Sequence, residues 1–152
     1  LRPWTEAGRS SRALIAAANS ELARAPAGTA VLIAVPEMHR TAWLWAWASP
    51  QAVGRPFLDQ AVDPALVVER PGNYYRPDQW SADRKPLTTL AAVPAALTLA
   101  VDSRSQPVVR LLSADELRPE LNALASISAG GLTSEQWTLW VTSLAKPPPR
   151  PN

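Results

Sequence analysis

The side chains of this chain limit the chemistry that it can perform, because it contains one histidine, His39, and no cysteine. A hydrolytic triad needs a nucleophile, a base and an orienting acid, and a structural zinc site needs several Cys or His ligands. One imidazole without thiols supplies neither set, and no glycine-rich nucleotide motif is present. The sequence therefore predicts a domain that is not itself catalytic and that holds no metal and no cofactor.

The single histidine lies in a polar group, Glu37, His39 and Arg40, which follows an apolar run that ends at Val35. Open α/β sheets bind ligands at the carboxyl ends of their strands, so this position favours an anion or sugar site. An ordinary polar turn between a strand and a helix is the alternative interpretation.

A second segment, residues 70–86, combines arginines with two tyrosines and a tryptophan. Guanidinium groups bind phosphate bidentately, and aromatic faces stack on sugar rings. If the strands that precede the two segments are parallel neighbours, both segments leave the sheet at the same edge. Solvated, scattered arginines are the alternative. We predict a mouth for a sugar phosphate or anionic glycan that is formed by Glu37, His39, Arg40, Arg70, Tyr74, Tyr75, Arg76 and Trp80.

The elements that would position this mouth are visible in the apolar pattern. Apolar residues recur at helical spacing from Thr5 to Ala25, and Pro26 and Gly28 end the predicted helix. The following run, Thr29–Val35, is almost wholly β-branched or aliphatic, which is typical of a strand covered on both faces. This strand is expected in the centre of the sheet.

The next segment, Arg40–Ala48, is ambiguous because it has three tryptophans at alternate positions, a spacing typical of a strand. Trp43 and Trp47 are also four residues apart, as on one face of a helix. Because a helix is the expected element after a central strand, we predict a helix here. Ala65–Glu69 predicts a second strand.

The rest of the chain predicts a hairpin and two helices. Two apolar runs, Ala96–Val101 and Pro107–Leu112, flank a polar turn, which is typical of a β-hairpin. Ser113 and Glu116 form a capping box that predicts a helix, and Thr133 begins the last one. The expected fold is one soluble α/β domain over residues 1–145, layered, with a mixed sheet of about four strands flanked by helices. Residues 146–152 are a proline-rich tail.

Seven tryptophans are present in a chain that is otherwise rich in alanine. Large side chains are needed to fill a core of small residues to native density. We therefore predict that the core contains Trp43, Trp47, Trp137 and Trp140. A surface that stacks on sugar rings or forms an interface is the alternative.

Composition argues against nucleic acid binding and against a transmembrane segment. The net charge is only +2 and no four basic residues are consecutive, so the cation stripe that binds nucleic acid is missing. No apolar stretch is long enough to span a bilayer. The chain begins with Leu1, and we expect it to be a piece of a longer polypeptide.

Three stretches carry a family resemblance over residues 4–50: Trp4-Thr-Glu-Ala-Gly-Arg-Ser-Ser-Arg-Ala-Leu-Ile15, Ala25-Pro-Ala-Gly28 and Val31-Leu-Ile-Ala-Val-Pro36. They resemble the soluble C-terminal domain that follows the last membrane helix of bacterial polytopic GT-C-like glycosyltransferases. The resemblance implies an extracytoplasmic location on a bacterial membrane. It also implies the membrane portion of the same polypeptide as a partner, and a glycan or lipid-linked sugar as a ligand. The family's catalytic acid lies between membrane helices, so no catalytic residue is carried over.

Two other functions remain as alternatives to this expectation. An independent protein-binding or scaffold module would use exposed Trp and Tyr side chains as its contact surface. A small stand-alone enzyme is the third possibility, and the sequence offers no residue set for it.

Overall fold

The computed structural model of the chain describes residues 2–35, 38–39, 42–43, 58–60, 62–63, 66–69, 89–104, 106–127 and 133–151. For residues 38–39, 42–43, 69, 127 and 134 it describes the backbone and not the side chains. The helices are α1 (Arg2–Leu22), α2 (Ala114–Ile127) and α3 (Ser134–Ala145). The strands are β1 (Ala30–Ile33), β2 (Met38–His39), β3 (Ala42–Trp43), β4 (Val67–Glu69), β5 (Ala95–Val101) and β6 (Pro107–Ser113).

Four strands form a mixed sheet in the order β4-β1-β5-β6. β1 is parallel to both of its neighbours, with Val31 opposite Val67 on one side and Leu97 on the other. β6 is antiparallel to β5. The predictions of a four-stranded mixed sheet and of a central first strand are confirmed.

Helices cover both faces of the sheet, so the domain has three layers. α1 packs on one face, where its buried residues Leu14 and Ala18 share a cluster with Ile33. α2 and α3 cover the other face, where Leu117 and Trp137 join a larger cluster. All four residues of β1 are buried, as expected for a strand with a helical layer on each side.

α1 begins earlier than the apolar spacing predicts, at Arg2 instead of Thr5. Pro3 lies in its first turn, where a backbone N–H has no partner within the helix and proline is tolerated. The turn that follows α1 contains Gly28 at a φ of 82°, a conformation that favours glycine. Within the described part of the chain, no helix has the length and apolar character needed to cross a membrane.

The helix predicted for Arg40–Ala48 is wrong at Ala42–Trp43, which form strand β3. β3 pairs with β2 in an antiparallel two-stranded sheet, with Met38 opposite Trp43. Both strands contact α1. At Ala42–Trp43 the strand interpretation of this segment is therefore the correct one. Residues 44–48 lie outside the described part of the chain.

The predicted hairpin and the helix after it are confirmed. Ser113 ends β6 and caps α2, because its Oγ accepts a hydrogen bond from the Glu116 N–H and the Glu116 carboxylate accepts one from the Ser113 N–H. Pro119 lies inside α2 and removes one helical donor. Three leucines buried against the sheet, Leu117, Leu121 and Leu124, stabilise the helix despite this loss.

Arg110, in the middle of strand β6, connects β6 with α2 and with the end of α3. From β6, its Nη2 donates to Glu116 Oε1 at 2.7 Å, and its Nη1 donates to the carbonyl oxygens of Leu144 and Lys146. A cation near the last carbonyls of α3 also complements the helix dipole. The hydrogen bond from the Ser113 N–H lowers the pKa of Glu116, and the Ser113 hydroxyl and Arg110 act in the same direction.

We expect Glu116→Gln to lose up to about 1 kcal/mol of unfolding free energy near pH 7, because the half-exposed carboxylate loses its charge toward Arg110. The folded-state pKa is lowered, so this contribution is present above the unfolded pKa and disappears as the pH falls through the folded one. Urea unfolding at about pH 7 and about pH 3 should show a larger difference between parent and variant at the higher pH.

Asp115→Asn is the matched control, since it removes a charge from the same helical turn at a side chain that is 91% exposed. It should change the unfolding free energy by no more than about 0.5 kcal/mol at either pH. A Glu116→Gln variant that is as stable as the parent near pH 7 would contradict the assigned role of Glu116.

Candidate functional site

The carboxyl edge of the sheet is where β1, β4 and β5 end, because all three strands run in the same direction. Ile33, the last residue of β1, lies opposite Glu69, the last residue of β4. The condition on which the predicted mouth depends is therefore met: the two strands are parallel neighbours. The chain continues from both of them at the same edge, toward Glu37 and toward Arg70.

Most of the side chains predicted to form the mouth lie outside the described residues. This holds for Glu37, Arg40, Arg70, Tyr74, Tyr75, Arg76 and Trp80. His39 is placed by its backbone in β2, opposite Ala42 of β3, in the hairpin that contacts α1. The histidine therefore belongs to an antiparallel pair beside α1, whereas the sequence suggested a strand-to-helix turn.

A third segment reaches the carboxyl edge that the site prediction did not include. It is the turn between β5 and β6, where Asp102 Oδ1 accepts hydrogen bonds from the backbone N–H groups of Arg104 and Gln106. The turn itself was predicted, but its place beside the mouth depends on β5 being parallel to β1. A local sequence pattern does not show which strands pair when they are more than sixty residues apart in the sequence.

Trp137 anchors α3 behind this edge. Its Nε1 donates a hydrogen bond of 2.9 Å to the carbonyl oxygen of Ile33, and its side chain is fully buried. Thr133 and Gln136 form a capping box at the start of α3, one turn before Trp137. The last residue of β1 is therefore held by a side chain from the far end of the chain, which fixes where the segment toward Glu37 begins.

Among the described residues, the carboxyl edge has no group of acids or histidines that suits a metal ion. Among all the described residues, the one resolved pKa shift is that of Glu116. Glu116 lies at the opposite edge, where Ser113 pairs with Ala95 at the start of β5. Its perturbed pKa therefore belongs to helix capping and not to a reaction site.

A concavity of about 270 Å³ lies at the opposite edge of the sheet, beside the amino-terminal end of β1. Its lining includes Pro26, Thr29 and Leu66. The Thr29 hydroxyl already donates to the Pro26 carbonyl oxygen, and the Leu66 N–H donates to the carbonyl oxygen of Asp63. These two polar groups therefore serve the local turns.

The chain matches no protein-family model, and comparisons with curated proteins and with solved structures find no match. The resemblance to GT-C-like glycosyltransferases therefore stays a prediction.

Proposed function

We propose that this chain is a non-catalytic extracytoplasmic domain of a membrane-embedded glycosyltransferase-like protein from a bacterium. In this proposal it binds an anionic glycan or a lipid-linked sugar phosphate at the carboxyl edge of its sheet. The observation that carries the proposal is the parallel pairing of β1 with β4, which ends with Ile33 opposite Glu69. The family resemblance over residues 4–50 supports the location and the ligand class.

The proposed ligand follows from the residue types in the two segments that leave this edge. Arg40, Arg70 and Arg76 supply guanidinium groups for a phosphate, which Arg binds with two parallel hydrogen bonds. Tyr74 and Trp80 supply aromatic faces for a sugar ring. Such a site binds and positions its ligand without performing chemistry on it.

The test is a titration of the purified chain with a water-soluble short-chain prenyl phosphate, followed by tryptophan fluorescence. We expect Arg76→Ala to weaken binding about 10- to 100-fold, because a hydrogen bond to a charged group contributes about 1.5–3 kcal/mol. Trp80→Ala should weaken the binding of a prenyl-phosphate sugar more than that of the prenyl phosphate alone. The chain should show no glycosyl transfer or hydrolysis with either compound.

Arg118→Ala is the matched control, because Arg118 is a solvated arginine of α2 with a side chain that is 63% exposed. It should bind the phosphate as the parent does. No fluorescence change at ligand concentrations on the order of millimolar, or equal binding by Arg76→Ala and the parent, would show that the site does not exist. Turnover that disappears when one acid is mutated would overturn the non-catalytic assignment.

A protein-binding module is the second candidate, and one observation on α3 favours it. Leu139 is 65% exposed, and Trp140 beside it is partly buried. An aromatic residue next to an exposed leucine is a common component of protein interfaces. In this alternative, Leu139→Asp abolishes capture of the protein partner and leaves prenyl phosphate binding unchanged.

A further inference from the structure

In the first three turns of α1, the rest of the domain leaves one large apolar side chain uncovered, that of Trp4. An α-helix returns to the same direction after about five turns, which is 18 residues, so Trp4 points to the same side of α1 as Leu22. Leu22 is 3% exposed, whereas Trp4 is 57% exposed. The stripe that α1 buries against the sheet thus continues to Trp4, where it reaches solvent.

Three arginines lie on the exposed side of the same turns. At 3.6 residues per turn, Arg12 projects about 80° from Trp4 around the helix, and Arg2 and Arg9 project about 140° to 160° from it. Arg9 and Arg12 are exposed, and neither forms an ion pair within the described part of the chain. Arg2 is exposed as well and pairs with Glu6, the one acid of these turns. The surface formed by Arg2, Trp4, Arg9 and Arg12, called the α1 basic surface below, therefore has a net positive charge.

Arg12 and Trp4 belong to one ridge of the helix. Trp4, Gly8 and Arg12 follow each other at steps of four residues, which align on one side of a helix. Nη1 of Arg12 lies 3.7 Å from the position that a Cβ on Gly8 would take. The absent side chain at Gly8 leaves room for the guanidinium to lie back along the ridge toward Trp4.

We propose that the α1 basic surface binds the anionic headgroups of a lipid bilayer, with Trp4 at the interface between headgroups and acyl chains. Indole rings favour this interface, and each Lys or Arg near an anionic membrane adds attraction of about 1 kcal/mol. Charge complementarity thus selects an anionic membrane as the occupant. The proposal does not rest on the sugar phosphate mouth, which involves other residues.

Co-sedimentation of the full chain with vesicles tests it. We expect binding to vesicles of phosphatidylcholine with about 30% phosphatidylglycerol, little binding to pure phosphatidylcholine, and loss of binding near 1 M salt, where the screening length is about 3 Å. Arg9→Gln combined with Arg12→Gln should weaken binding about 10- to 30-fold. Trp4→Ala should weaken binding about 5-fold or more, because it removes the interfacial anchor.

The matched controls are Arg118→Gln and Leu139→Ala, which change an exposed cation and an exposed apolar residue on the other helical layer. Both should bind vesicles as the parent does. Failure of the parent to bind anionic vesicles would overturn the proposal and would favour an acidic protein as the occupant. Equal weakening by the controls would also overturn it, because the attraction would then be a property of total charge. Addition of soluble prenyl phosphate should leave vesicle binding unchanged, which separates this surface from the mouth.

Discussion

Ile33→Asp is expected to abolish cooperative unfolding of this domain. Ile33 is 3% exposed in the central strand, with a cluster from α1 on its side of the sheet. A carboxylate placed there without a partner costs several kcal/mol, comparable to the whole stability of a typical domain, which is about 5–15 kcal/mol. Thermal melting followed by circular dichroism should show no sigmoidal transition for this variant.

Two control variants separate the effect of charge from that of position. Ile33→Val keeps the strand apolar and should cost about 0.5–1.5 kcal/mol. Leu139→Asp introduces the same carboxylate at a 65% exposed position and should change stability by no more than about 0.5 kcal/mol. A folded Ile33→Asp domain with a normal melting transition would contradict the central place of β1.

Trp137→Phe should destabilise the domain by about 1–3 kcal/mol, whereas Trp140→Phe should be neutral or slightly stabilising. Both changes remove an indole N–H and similar volume from adjacent rings, whose centroids lie 5.5 Å apart. The Nε1 of Trp137 bonds to the Ile33 carbonyl oxygen, but the buried Nε1 of Trp140 has no hydrogen-bond partner in the part of the chain that is described. Removing a satisfied donor loses a buried hydrogen bond, while removing an unsatisfied one relieves a desolvation penalty.

Urea unfolding of the two variants in parallel measures this difference. Trp137 is fully buried and Trp140 is partly buried, so Trp137→Phe also loses more buried apolar surface, and this loss adds to the difference. Equal free energies of unfolding for both variants would show that the bond between Trp137 and Ile33 contributes nothing measurable.

Most of the sheet could be predicted from the sequence because most of its strands have a recognisable local pattern of apolar residues. Thr29–Val35 is apolar throughout, and Asp102 lies in a polar turn between two apolar runs, so β1 and the β5–β6 hairpin follow directly. The prediction that Trp137 is a core residue is confirmed, and Trp140 packs at the margin of the same core. The division into a domain over 1–145 and a tail stays a prediction.

The error at Ala42–Trp43 has a physical cause. In Arg40–Ala48 the residues between the tryptophans, Leu44 and Ala46, are also apolar. A strand period of 2.0 residues and a helical period of 3.6 residues therefore fit equally well. Topological expectation then favoured a helix after a central strand. The hairpin formed instead lies beside α1, and a contact between these two segments leaves no signal in the local spacing.

The candidate site itself stays a prediction. Residue types and the ends of two apolar runs selected its two segments, which begin at Glu37 and Arg70, and the structure bears only on the strands that precede them. The turn at Asp102 and the anchoring of Ile33 by Trp137 depend on partners far away in the sequence, 104 residues in the case of Trp137. Such long-range pairs are set by the packing of three layers, which no single segment encodes.

A two-dimensional ¹H–¹⁵N spectrum of the chain, recorded during a titration with short-chain prenyl phosphate, tests whether the two segments form one binding site. We expect the amide signals of His39 and Arg40 to shift together with those of residues 70–80, with one shared dissociation constant, while those of α2 stay in place. Shifts confined to other parts of the chain, or different dissociation constants for the two segments, would contradict a single mouth at the carboxyl edge of the sheet.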